Sequence, residues 1–204
     1  MKRKLLVASG NKGKVREIKK YLEDLGDNLK FEILSMDSFP QLAEVIEDGD
    51  TFKANALKKA RTRAGETGLI SLADDSGLVV ECLNGEPGVY SARYAGENAS
   101  DEDNNNKLIK ELEKYSFEER KAYFKCVMAL LDPDRNIEIV VEGECPGFIQ
   151  LEPRGDNGFG YDPLFFLPDY NKTMAELSLE EKNEISHRAK ALKKMKKEVI
   201  KRYM

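Results

Sequence analysis

Two periodicities alternate along the chain. Leu5-Leu6-Val7-Ala8 is a continuous apolar run of strand length, and Val15, Ile18, Leu22 and Leu25 then recur at helical spacing up to a stop at Gly26. Phe31 to Leu34 predicts a second short strand. Thr51 stands where a helix cap belongs, ahead of the stripe Phe52, Asn55, Ala56, Leu57, Ala60 and Ala64, with Gly65 and Gly68 closing the helix. Ile70 to Ala73 predicts a buried strand that stops at Asp74-Asp75-Ser76-Gly77, and Leu78 to Cys82 predicts the next. Gly85 to Gly88 is a turn. Ser100 and Asp103 form a capping arrangement for a helix continued by Leu108 and Leu112, with the Asn104–Asn106 run on a wet face.

The second half changes character. Ala122 to Leu131 is a long strand ended by Asp132-Pro133. Ile137 to Glu144, with Ile137, Ile139 and Val141 alternating, is its expected antiparallel partner, and Gly147 to Leu151 is a third strand. A glycine-rich loop from Pro153 to Pro163 leads to the short apolar run Leu164 to Leu167. Residues 180–203 predict an amphipathic helix or pair of helices, opened near Ser186-His187-Arg188. Strand–loop–helix units beside antiparallel pairs imply an α/β protein with a mixed sheet.

Composition narrows the class. The chain has 204 residues, 34% charged and 41% hydrophobic, with a net charge of −4. That length suits one large domain or two lobes sharing a core. The charge offers no general footprint for nucleic acid, so an anion must be held locally. No apolar run approaches the ~20 residues of a membrane span. The three cysteines are scattered, which suits a reducing cytosol. His187 is the sole histidine, which argues against histidine-rich metal sites and Ser/His or Cys/His catalysis.

Four polar clusters lie outside the apolar elements: Ser9 to Lys14, the carboxylates at 44–50 with Asp74 and Asp75, the glycine loop at 155–162, and Lys182 with His187 and Arg188. The first is a strand-to-helix loop whose N–H groups and lysines suit phosphates, though it is not a Walker A loop. If the chain is extended at Asp74-Asp75, the two side chains leave opposite faces. One is then expected to face a metal and the other to be held by local hydrogen bonds. Carboxylate oxygens suit Mg²⁺ shared with substrate phosphates. An aromatic in a glycine-rich loop can lie under a base, because glycine admits close approach. Each cluster alone has a plain structural reading, as turn, solvated face or core plug. Jointly they describe a Mg²⁺-dependent enzyme acting on a nucleoside polyphosphate.

The motifs Ser9-Gly-Asn-Lys-Gly-Lys14, Asp48-Gly-Asp-Thr-Phe52 with Asn55-Ala56, Ala73-Asp-Asp-Ser-Gly77, Pro87-Gly-Val-Tyr-Ser-Ala-Arg93, Gly158-Phe-Gly-Tyr-Asp-Pro163, Glu181-Lys182 and Ser186-His-Arg188 occur in this order over nearly the whole chain. In them the sequence resembles the inosine/xanthosine triphosphate pyrophosphatase family. The resemblance implies cleavage of the α–β phosphoanhydride of ITP, dITP or XTP, giving a monophosphate and pyrophosphate. It implies that Ser9, Gly10, Asn11, Lys12, Gly13 and Lys14 hold phosphates. Glu47 and Asp75 would hold Mg²⁺, with Asp75 also the general base. Ser76 would touch substrate, and Lys59 and Lys182 would reach phosphates. Phe159, Gly160, Tyr161 and Asp162 would wall the base, with Phe159 stacking, and His187 and Arg188 would read it. The expected fold is one α/β domain over residues 1–204, with a long twisted mixed sheet, flanking helices, two lobes and a central cleft. The family further implies a cytoplasmic homodimer with no nucleic-acid or membrane partner.

Discrimination is expected at the purine 6-position. A keto group satisfies donors that an amine leaves unpaired, and an unpaired buried donor costs ~1–3 kcal/mol. The competing readings are a pyrophosphatase for other modified or normal nucleotides and a non-catalytic nucleotide-binding module. Carboxylates that repel phosphate in the absence of a metal argue against the latter.

Overall fold

The structure is a computed structural model that describes residues 3–23, 29 and 31–204, without the side chains of Lys12 and Glu23. The expected helix positions Leu25 and Gly26 lie outside the described residues. The elements are β1 (Arg3–Val7), α1 (Lys12–Glu23), β2 (Phe31–Ser35), α2 (Phe52–Thr67), β3 (Ile70–Val80), α3 (Asp101–Leu112), β4 (Lys121–Asp132), β5 (Ile137–Ile149), β6 (Phe165–Leu167), β7 (Lys172–Thr173), α4 (Leu179–Ile185) and α5 (His187–Tyr203). The strands form one mixed sheet in the order β2-β1-β3-β4-β5-β6-β7. β1 runs parallel to β2 and β3, whereas β5, β6 and β7 are successively antiparallel. With its helices the protein is α/β, as the sequence implied.

The chain forms two compact units. The first comprises residues 1–75, 126–142 and 191–204. Its core joins Leu5 and Val7 of β1, Ile18 and Leu22 of α1, Leu72 of β3, Met128 and Leu130 of β4, and Leu192, Met195 and Val199 of α5. The second comprises residues 76–125 and 143–190. Its core joins Leu78 and Val80, Leu108 and Leu112 of α3, Phe124, Ile149, Phe165 and Met174. The apolar stripes of α1 and α3 therefore face the cores that their spacing predicted.

Several expectations need correction. β3 does not stop at Asp74 and restart at Leu78; it runs unbroken from Ile70 to Val80. Aspartate is a poor strand former, but Asp74 and Asp75 are 2% and 7% exposed inside the ladder, where Lys14 and Asn55, distant in sequence, each reach one carboxylate oxygen. The two strands expected at Ile137 to Glu144 and Gly147 to Leu151 are one strand, β5. β6 pairs with β5 at Phe148 and Ile149, past Pro146, so the missing proline N–H does not affect that ladder. Gly65 sits within α2, and Gly68 alone closes it, in a left-handed conformation. The Asn104–Asn106 run is not a uniformly wet face. Asn104 is buried, accepting from the Ala95 N–H at 2.8 Å and donating to the Ala92 carbonyl at 3.2 Å. The helix pair at the C-terminus divides at Ser186, as expected.

Candidate functional site

In the first unit, the loop after β1 turns directly into α1. Asn11 caps that helix, its Oδ1 accepting from the Lys14 N–H at 3.1 Å. The Asn11 N–H itself donates to Ser9 Oγ at 3.3 Å. Lys14 Nζ lies 2.9 Å from Asp74 Oδ2. The carboxylate expected to be held by local hydrogen bonds is thus held by a lysine sixty residues earlier in the chain. Because β3 stays extended, Asp75 leaves the opposite face. Its Oδ2 accepts from Asn55 Nδ2 at 3.0 Å, and Asn55 Oδ1 accepts from the Gly49 N–H at 2.7 Å. One buried side chain on α2 therefore ties Asp75 to the acidic loop. The sequence places Asn55 in the stripe and in the Asn55-Ala56 motif without assigning it a role in the site; a carboxamide inside an apolar stripe is the signal that marks it.

Lys59 on α2 pairs with Glu47 at 2.8 Å, while Asp48 pairs with Lys58 at the surface. Burial pushes the Asp75 carboxyl up to about 6, and the Glu47 charge adds to the shift; Lys59, the Asn55 hydrogen bond and Lys14 oppose it. Asp75 is thus an anion at neutral pH, but one held in an unfavourable setting. Such a carboxylate pair suits a hard divalent cation, which would relieve the desolvation and repulsion while keeping waters of its own. Among the described residues, no group of three or more acidic, histidine or cysteine side chains forms a ligand cluster. A cation here would therefore complete its shell from water and substrate.

In the second unit, Asp162 organises the glycine loop. Its Oδ2 accepts from the Phe159 N–H at 3.0 Å and from Lys182 Nζ at 2.5 Å. Burial raises the Asp162 carboxyl, with Lys182 as the main opposing influence. Gly158 has φ +86° and lies so close that a Cβ there would stand 2.0 Å from Asp162 Oδ2, so any other residue would strain the backbone and displace the Asp162 carboxylate. Phe159 remains 43% exposed, with Lys182 Nζ 5.2 Å and the Arg188 guanidinium 5.8 Å from its ring centroid. Tyr161 is buried, and its hydroxyl donates to the Ser91 carbonyl at 2.8 Å, which makes it a brace beneath the loop. Ser186 Oγ accepts from the Ala189 N–H, which caps α5 and sets His187 and Arg188 in its first turn. His187 stacks on Phe124 at 5.0 Å, and both residues are buried.

The structure thus gathers Glu47, Lys59 and Asp75 in one unit, and Phe159, Asp162, Lys182 and Arg188 in the other. Lys14, Lys59 and Lys182, all expected at phosphates, each hold a carboxylate. The Lys12 side chain lies outside the described residues, and Ser76 follows Asp75 on β3 half-buried. No helix among the described residues is long and apolar enough to cross a membrane.

Residues 5–198 match the model of the Ham1 family. The dITP/XTP pyrophosphatase of Geobacter sulfurreducens is 56% identical over 193 residues, 95% of this chain and 94% of that protein. A HAM1 protein from Coxiella burnetii superposes with a TM-score of 0.89 at 40% identity, over 98% of this chain and 99% of that one. The Staphylococcus aureus Ham1 protein gives a TM-score of 0.88 at 40% identity, over 98% and 100% of the two chains. By its sequence, its fold and the order of its polar clusters, the chain belongs to the Ham1 family.

Proposed function

We propose that this protein hydrolyses aberrant purine nucleoside triphosphates, ITP, dITP and XTP, to the monophosphate and pyrophosphate, clearing them from the nucleotide pool. The observation that carries the reading is Asp75: a buried carboxylate, raised to about 6, fixed by Asn55 and neighboured by Glu47 and Lys59. It stands in a chain whose Geobacter relative is named dITP/XTP pyrophosphatase. Glu47 and Asp75 would hold the metal, Mg²⁺, which when bound would supply neutralisation of phosphate charge and a more acidic water. Asp75 accepts the proton of the attacking water, the α–β P–O bond breaks, and pyrophosphate leaves. The Ser9 to Lys14 loop, Lys59 and Lys182 hold the phosphates, so the lysines exchange a carboxylate for a phosphate oxygen as substrate arrives. Ser76 touches the substrate. Phe159 stacks on the base, with Gly160, Tyr161 and Asp162 supporting the wall. His187 and Arg188 donate to the 6-keto group. The whole chain acts as one functional domain, and the active protein is a cytoplasmic homodimer.

Pyrophosphate release from ITP, XTP, dITP, GTP and ATP, each with Mg²⁺ and with chelator, tests this. The expected result is fast, metal-dependent release from the first three and slow release from the others. Orthophosphate as product would move the cleaved bond and overturn the mechanism. Equal release from all five would make this a general nucleotide pyrophosphatase.

A further inference from the structure

Helix α3 holds the recognition loop at a single residue. Asp101 Oδ2 accepts from the Gly160 N–H at 2.7 Å, and Asn105 Nδ2 donates to the Gly160 carbonyl at 3.0 Å. The two side chains stand four residues apart, on one face of the helix. Their targets belong to the two peptide planes that flank the Gly160 Cα, and the only soft torsions between those planes are φ and ψ of Gly160. Gly160 has φ +61°, and a Cβ built on it meets nothing within 4 Å. The side of the Cα on which a side chain would stand is therefore open. The plane that Asp101 grips carries the Phe159 carbonyl, and Asp162 holds the N–H on the other side of Phe159. Phe159 is thus fastened on both sides by carboxylates, while the residue stays 43% exposed. The helix that supplies the grip is itself anchored, by the buried Asn104, by Lys107 donating to the Tyr94 carbonyl at 2.7 Å, and by the Ser100–Asp103 capping box.

We infer that Asp101 and Asn105 are positioning residues for base recognition: by locking Gly160 they hold the Phe159 ring in register, and so set the KM for nucleotide rather than the rate of bond cleavage. The inference rests on the reading of Phe159 as the base-stacking residue.

The test has two arms. Steady-state hydrolysis of ITP by Asp101→Ala, Asn105→Ala and the double variant should show KM raised about 5- to 20-fold, with kcat within about twofold. Asp101→Asn loses the charge but keeps an acceptor oxygen, so it should recover most of the wild-type KM. The chain has no tryptophan and eight tyrosines, so Phe159→Trp gives a sole tryptophan that can be excited selectively at the red edge of the absorption band, where tyrosine does not absorb. Its anisotropy should fall, and its quenching by acrylamide rise, when Asp101→Ala or Asn105→Ala is added. Unchanged KM with unchanged anisotropy overturns the inference. So does a rise in KM accompanied by a loss of thermal stability that Asp101→Asn fails to reverse, since that is a general helix defect. If the parent protein hydrolyses no triphosphate, the functional reading fails, and the anisotropy arm alone decides whether the clamp exists.

Discussion

The two units hold their polar residues by different means. In the first, Asp74, Asp75, Asn55 and Lys59 sit within the body of regular elements, β3 and α2, whose backbones are already fixed by ladder and helix hydrogen bonds. The carboxylates there are placed by secondary structure and stressed by burial. In the second, Phe159 to Asp162 lie on a loop containing three left-handed glycines, and side chains must hold it: Asp162 and the Tyr161 hydroxyl from within, and Lys182, Asp101 and Asn105 from elsewhere. A charge that must meet a metal and a water within a few tenths of an ångström belongs on rigid elements. A surface that must admit a flat base can be built on a loop, provided that loop is pinned. Changes to the carboxylates of the first unit should therefore act mainly on turnover, and changes to the loop of the second on binding or on folding.

The sharpest break in the comparison is Asp75→Asn. Removing a general base lowers rate by roughly 10²–10⁴, so kcat for ITP should fall by that factor while KM stays within a few-fold. An equal rise in KM would mean that Asp75 itself also contributes to substrate binding. Next, Lys182→Met leaves Asp162 as a buried, uncompensated carboxylate. Denaturant unfolding should show a loss of roughly 3–5 kcal/mol, with most of it restored by adding Asp162→Asn. Little loss would mean that water reaches Asp162 and that the loop is less tightly held than its geometry shows.

A pH titration tests the stress on Asp75. Its folded value of about 6 lies above the ordinary 3.8, so the native state binds more protons than the unfolded state in that window. Stability of the metal-free protein should fall as pH rises from about 4 to about 6, by roughly 2–3 kcal/mol, and stay lower above that. The Asp75 share of the fall is the difference between wild type and Asp75→Asn, and a divalent cation should offset it. The smallest effect is Phe159→Ala, which removes the proposed base-stacking face, worth roughly 1–3 kcal/mol if it stacks. KM should rise by the corresponding factor, with kcat little changed.

Much of the architecture was legible in the residues. The stripe Val15, Ile18 and Leu22, the run Leu5 to Ala8 and the Ser100–Asp103 capping pair each became the element they predicted, because period and cap chemistry are local properties. The candidate chemistry was legible as residue types in order. Its wiring was not. Asp74-Asp75 reads as a strand end because aspartate suits turns, yet the strand continues, since Lys14 and Asn55 arrive from far along the chain. Asn104 and Asn105 read as solvated for the same reason, their partners being the backbones of residues 92, 95 and 160.

The sequence by itself determined the α/β class, the positions of the main helices and strands, and the set of acids, lysines, glycines and aromatics available for chemistry. Those follow from short-range periodicity and from what each side chain can bond. The tertiary structure alone decided that Asp74 and Asp75 part to opposite faces of a continuous strand, that Asn55 links Asp75 to the acidic loop, and that α3 grips Gly160. Burial and hydrogen-bond partnership depend on which distant segments meet, and no local pattern encodes that.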